Sequence, residues 1–278
     1  MDANKYSPEL LHYINETLTR WVYTKIVKPG DHVIDIGANC GEHTTVLSEL
    51  VGQEGKVHAF EPNNAHHDKL MCLPSNVVFW PCALGDKTAS LNLYIPEALD
   101  GWASLIDIRS ILPNREFKLQ PTMQVPISIL ESIDTAKLTF IKIDVERREF
   151  EVLKGMTDSL SRKSSSKVIP RAKSSFLAKA QPIIVLESVT EEIRALFEML
   201  GYDVVDFLGR DWNSDGCFPN SVAVPTQRRE WLQQHLPSST QIEEIAYQYR
   251  NKSQKEPSTK SILNVSWISK ASKRLGAR

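Results

Sequence analysis

Between residues 31 and 63 the chain carries groups suited to an adenosine-containing ligand. Asp35-Ile36-Gly37-Ala38-Asn39-Cys40-Gly41 reads as a glycine-bearing turn from a strand into a helix. A turn of that kind brings backbone N–H groups and a helix N-terminus up to a ligand. Gly37 would let the backbone approach without a Cβ in the way, and Gly41 would let the helix pack closely. Asn39 tolerates unusual φ values and offers an amide. Glu61, about 20 residues beyond the turn, lies where a carboxylate accepts hydrogen bonds from ribose hydroxyls; Pro62 and Asn63 follow it. The turn is GANCG and not GxGxxG, and the Asp35 carboxylate at its entrance would repel a pyrophosphate. It would suit the cationic amino group of a methionine moiety. S-adenosylmethionine (SAM), which also carries a sulfonium, is therefore expected in preference to NAD.

A second group is Lys142, Asp144 and Glu146 in FIKIDVE. Residues two apart on a strand share a face, so these three should point the same way. Carboxylates so placed can take a proton from a hydroxyl, or they can form a buried ion network with the lysine; the spacing allows both. Asp144 and Glu146 are both candidates for accepting the proton or orienting the hydroxyl, and Lys142 could pair with either acid or bind a substrate oxygen. His43, His66 and His67 are expected to face solvent, because adjacent histidines on a helix point in different directions. Trp102 would stack on a sugar or aromatic ring, or anchor its loop. Cys40, Cys72, Cys82 and Cys217 have no CxxC spacing and no His-rich partner segment, so neither a metal site nor a disulfide framework is expected.

To bring these groups together, the chain needs strands whose C-terminal ends meet. Leu10, Leu11, Ile14, Leu18, Trp21, Val22 and Ile26 recur at near-helical spacing, and KPGD ends that pattern. HVIDIG (32–37) is a run suited to burial on both faces of a parallel sheet. HTTVLSELV reads as a helix and KVHAFEP as the second strand. A short helix over 65–71, the strand NVVFWPCAL and the alternating strand SLNLYIP follow. LTFIKIDVE (138–146) and PIIVLES are further strands, each followed by a helix, and Gly201 closes the helix of TEEIRALFEMLGY. YDVVDFL and SVAVP then form a hairpin. The pattern predicts an α/β fold with a mostly parallel seven-stranded sheet, helices on both faces and a C-terminal antiparallel hairpin.

The 278 residues suffice for one generous domain, assigned to 1–225. Residues 162–181 are rich in Ser, Lys and Arg and lack acids, so they are expected to form a mobile basic insertion. Residues 226–278 are expected to be a polar, basic tail outside the core. A net charge of −1 gives no global attraction to nucleic acid or anionic lipid. The N-terminus has no apolar segment of the secretory kind, and no run reaches membrane-spanning length, so a cytoplasmic protein is expected. The sequence does not speak to oligomeric state.

HVIDIGANCGEHTTVLSELVGQEGKVHAFEPN resembles the first two motifs of class I methyltransferases of the FkbM family. FIKIDVERREFEVLKGM is similar to that family's second signature, and PCALGDKTASLNLYI to its intervening A-[LV]-[GS]-D segment. The resemblance covers roughly residues 25 to 225 and implies a Rossmann-like SAM-dependent methyltransferase. It implies that Ala83 and Leu84 lie near the adenine and Asp144 at the methyl-transfer face. Arg147 stands where the family usually has glycine. The implied reaction is O-methylation of a hydroxyl on a small natural product or glycan. The alternatives are RNA or N-methylation, or a SAM-binding scaffold without catalysis; a nucleic-acid partner is not expected.

Overall fold

A computed structural model describes residues 1–97, 103–111, 118–120, 123–128, 133–158 and 176–255. The strands are β1 (His32–Ile36), β2 (Lys56–Phe60), β3 (Val77–Trp80), β4 (Ala83–Leu84), β5 (Ala89–Leu93), β6 (Met123–Ser128), β7 (Leu138–Ile143), β8 (Ile183–Leu186), β9 (Tyr202–Asp206) and β10 (Ser221–Pro225). The helices are α1 (Pro8–Ile26), α2 (Glu42–Val51), α3 (His67–Met71), α4 (Ile108–Ile111), α5 (Glu149–Asp158), α6 (Phe176–Ala180), α7 (Glu191–Met199), α8 (Arg229–His235) and α9 (Ser239–Lys255).

Seven strands form one sheet in the order β3-β2-β1-β7-β8-β10-β9. β1 pairs in parallel with β2 and β7, and β10 lies antiparallel between β8 and β9. This is the expected α/β sheet with its C-terminal antiparallel pairing. Alternation along the buried strands divides the core. Val33, Ile183 and Val185 pack toward α1, α2, α8 and α9, whereas Ile34, Ile184 and Leu186 pack toward α5, α6 and α7. Local signals start the helices. Ser7 caps α1 by accepting from Leu10 N, with Pro8 in the first turn, and Thr190 caps α7 by accepting from Ile193 N.

Four sequence expectations need correction. NVVFWPCAL is not one strand: β3 ends at Trp80, Pro81 offers no N–H, and β4 joins a separate three-stranded sheet in the order β4-β6-β5. SLNLYIP belongs to that small sheet as β5. The strand expected over 138–146 ends at Ile143, because Glu146 and Arg147 have φ of +51° and +73°. The tail is not outside the core up to Lys255. Leu232 of α8 and Ile242, Ile245 and Ala246 of α9 are buried in one cluster with Leu10, Ile14 and Leu18 of α1. Tyr13 packs against Tyr249, and Lys5 pairs with Glu243. Finally, the end of the supposed insertion is the helix α6, whose Leu177 is fully buried beside Val152 and Met156. Residues 159–175 and 256–278 lie outside the described residues.

Candidate active site

Strand order reverses at β1, with β2 on one side and β7 on the other, and the crevice beyond the C-terminal ends of those strands is where such sheets bind ligands. The turn after β1 is tied into that edge. Gly37 N and Ala38 N both donate to Phe60 O at 3.0 Å, and Asp144 N donates to Ile36 O at 3.0 Å. Gly37 has φ +77°, and a Cβ there would fall inside the Asp144 carbonyl. The close approach that requires this glycine is therefore to the protein's own backbone, where the sequence had suggested the ligand. Asn39 takes φ +49°, as its residue type allows, and its Oδ1 accepts from Cys40 N at 2.6 Å. Gly41, at φ +83°, opens α2 and packs against Leu70 of α3.

Glu61 braces the turn from β2. Its Oε2 accepts from Asn39 N at 2.8 Å and its Oε1 from Asn63 N at 2.7 Å. Burial pushes its pKa up to about 7 despite those two donors. Asn63 is buried, and its Oδ1 accepts from Ala65 N.

Asp35 departs from expectation. Its carboxylate is fully buried, takes a 2.6 Å hydrogen bond from Thr44 Oγ1 and lies 3.8 Å from Lys142 Nζ, and it does not line the cleft. It cannot meet a ligand's amino group directly. Lys142 is buried too, and its Nζ lies 3.0 Å from Asp144 Oδ2 and 3.4 Å from Gly37 O. Burial opposes its charge, but Asp144, Asp35 and Glu16 more than compensate and hold its pKa above the ordinary value. Lys142 thus links the turn to the acid group from behind.

Asp144 and Glu146 do converge, through the left-handed loop and not through strand alternation. A third acid that the sequence reading missed, Glu187, joins them from the end of β8. The carboxylate oxygens of Asp144, Glu146 and Glu187 lie within 4.8 Å of one another. That spacing would suit a divalent cation, yet Lys142 already supplies positive charge at 3.0 Å from Asp144. Carboxyl groups this close cannot all be ionised comfortably. Burial, then Asp144 and Glu149, raise the pKa of Glu146; burial, then Asp144 and Glu146, raise that of Glu187 further.

Gly37, Asn39, Glu61, Pro62, Ala83, Leu84, Asp144 and Glu146 all line one cleft; Ala38, Gly41, Asn63 and Lys142 support it from behind. Leu93, Ala103 and Leu105 add an apolar wall, and Arg148 a cation. The histidine expectation fails. His66 is buried and lines the cleft, His43 is buried between Tyr23 and Glu16, and His67 meets Glu61 O at 3.0 Å. Trp102 lies outside the described residues.

These residues fit SAM. A carboxylate can accept about four hydrogen bonds, and Glu61 receives one backbone donor on each oxygen, which leaves capacity for the two hydroxyls of a ribose. Ala83, Leu84 and Leu93 offer apolar contact for a base. The cationic methionine end would meet negative charge from Asp144 and Glu146, the role first assigned to Asp35.

A family model described as the Methyltransferase FkbM domain matches residues 35–204. Hexuronic acid methyltransferase AglP of Haloferax volcanii is 29% identical over 140 residues, covering 47% of this chain and 52% of that protein. The chain thus matches about half the length of that relative. A TehB-like SAM-dependent methyltransferase from Corynebacterium glutamicum aligns with 74% of this chain and 85% of its own, at 10% identity and a TM-score of 0.39. A SAM-dependent O-methyltransferase from Thermotoga maritima aligns with 78% of this chain and 64% of its own, at 15% identity and a TM-score of 0.36. No described helix is long and apolar enough to cross a membrane.

Proposed function

We propose that this chain, which belongs to the FkbM methyltransferase family, transfers the methyl group of SAM to a hydroxyl of a glycan or a similar small acceptor. Methyl transfer from SAM follows from the family; the oxygen acceptor and the residue roles are our reading. The observation that carries it is the meeting of Asp144, Glu146 and Glu187 beside the cofactor turn, since a hydroxyl must lose a proton as its oxygen is alkylated. When bound, SAM supplies an electrophilic methyl on a positively charged sulfur. Glu61 would hold the ribose, and Ala83 and Leu84 would contact the base. Glu146 lines the cleft, and its raised pKa makes it a better proton acceptor than an ordinary glutamate. Asp144, held by Lys142, would orient the hydroxyl, so general-base work falls two residues along from the acid that the resemblance put at the methyl-transfer face. Arg148 lines the same cleft, and by exchanging its pairing with Glu151 it would give an acidic sugar a cation, which makes hexuronic acid, the acceptor class in the name of the Haloferax relative, a reasonable candidate.

The test incubates the purified chain with labelled SAM and a panel of neutral and hexuronic-acid oligosaccharides, followed by mass and linkage analysis. Methyl ethers on sugar oxygens are expected. Methyl groups found only on nitrogen or on RNA would refute the acceptor class.

A further inference from the structure

We propose that Glu187 is a positioning residue for methyl transfer: its carboxyl group keeps a proton against Asp144 and so leaves Glu146 free to accept the proton of the acceptor hydroxyl. This rests on the O-methyltransferase reading above. Glu187 directly follows β8, and its N–H donates to Ile143 O at 3.3 Å, which fixes it at the sheet edge where β7 ends. Around it lie Asp144 and Glu146 from the loop after β7 and Glu149 from α5. The nearby cations are otherwise engaged. Lys142 is shared between Asp144 and Asp35, Arg148 pairs with Glu151 at 3.0 Å, and Arg147 is exposed. Among the described residues no ammonium or guanidinium pairs with Glu187.

That charge count decides where the proton goes. With Asp144 compensated by Lys142 and Glu146 partly by Arg147 and Lys142, Glu187, buried against Asp144, Glu146 and Glu149, is the one that stays neutral. Burial and the facing acids act in that direction on Glu187 more strongly than on Glu146. A neutral Glu187 can donate a hydrogen bond to Asp144 and removes one like charge from beside Glu146. In the transfer itself, the acceptor oxygen forms its bond to the methyl carbon and the S–CH3 electron pair goes to sulfur. The hydroxyl proton goes to the Glu146 carboxylate, and the products are the methyl ether and S-adenosylhomocysteine.

Two readouts test this on the full chain. The first is chemical denaturation against pH without ligand. A carboxyl with a raised folded-state pKa stabilises at low pH, and that contribution is lost as pH rises through the folded value. The wild type should lose stability from about pH 4.5 up to about 9, and the part above pH 7, the alkaline loss, belongs to Glu187 because Glu61 and Glu146 are raised only to about 7. Glu187→Gln, a neutral isostere, should lack it, and Asp144→Asn should move it to lower pH. The second is methyl transfer from SAM to a hexuronic-acid oligosaccharide. Glu187→Gln should keep turnover within about threefold, whereas Glu187→Ala should lose about 10-fold or more, with S-adenosylhomocysteine affinity unchanged in both. Equal damage by both substitutions, an alkaline loss retained in Glu187→Gln, or turnover that requires added Mg2+ or Mn2+ would overturn the proposal. An alkaline loss that behaves as expected while no oligosaccharide is methylated supports the proton placement and counts against the acceptor class.

Discussion

Replacing Glu61 with glutamine is expected to weaken both the turn and the cofactor site. Each carboxylate oxygen accepts one backbone N–H, at 2.7 and 2.8 Å, and the residue is buried. Glutamine keeps the shape but turns one oxygen into an NH2, so the N–H of Asn39 or of Asn63 must face a donor. An unsatisfied buried donor costs about 1 to 3 kcal/mol, and the unliganded protein should lose that much stability. The ribose would lose a charged acceptor as well. Hydrogen bonds to charged groups contribute about 1.5 to 3 kcal/mol, so affinity for S-adenosylhomocysteine should fall roughly 10- to 150-fold. A pH signature separates the two effects. With its pKa pushed up to about 7, Glu61 in the wild type must give up a proton before it can accept from both hydroxyls. Wild-type affinity should then be about tenfold weaker at pH 6 than on its alkaline plateau, and the glutamine variant should lose that dependence. Denaturant titration and calorimetry at several pH values measure all three quantities. Unchanged stability together with unchanged, pH-independent affinity would refute the role assigned to Glu61.

Three further outcomes follow from the structure. Gly37→Ala should cost more than about 2 kcal/mol, because the side chain adds left-handed strain and displaces the Asp144 carbonyl; the denaturation midpoint reads it. Leu177→Ala should cost about 2 to 5 kcal/mol as a core truncation, while Lys179→Ala on the exposed side of α6 should be nearly silent, and equal melting temperatures for the two would show α6 to be dispensable. Glu61 should also make the unliganded protein less stable as pH rises from 4.5 through 7, by at most about 3 kcal/mol, seen as the difference between the pH–stability curves of the wild type and Glu61→Gln.

The sequence was most legible where a pattern had one physical cause. HVIDI and PIIVL read as doubly buried strands because both are mostly apolar runs without the alternation of a half-exposed strand, and both are such strands. The turn was legible because its glycines and Asn39 need the left-handed values they adopt. Failures came where composition was averaged over a window. KSSFLAKAQ looks solvated as a whole, yet the single residue Leu177 anchors its helix in the core. STQIEEIAYQY is mostly polar, but Ile242, Ile245, Ala246 and Tyr249 follow helical spacing and dock on α1. Pro81 inside NVVFWPCAL was a visible break. Glu187 ends a correctly placed strand and could have been found by treating every parallel strand end as part of the site. The engagement of Asp35 with Thr44 and Lys142 was not legible, because it depends on two distant segments meeting.

Arg147 occupies φ +73° at the position where the resemblance to the FkbM signature implies glycine. A left-handed L-residue costs about 1 to 2 kcal/mol, whereas glycine forfeits a comparable amount through the extra freedom of its unfolded chain. The exchange is therefore close to neutral for the fold, and the loop is held in either case by Ser104 Oγ donating to Glu146 O and by Arg147 N donating to Glu149. A near-neutral position on the shoulder of a reaction site is one at which mutational drift can pass through many side chains without losing the protein.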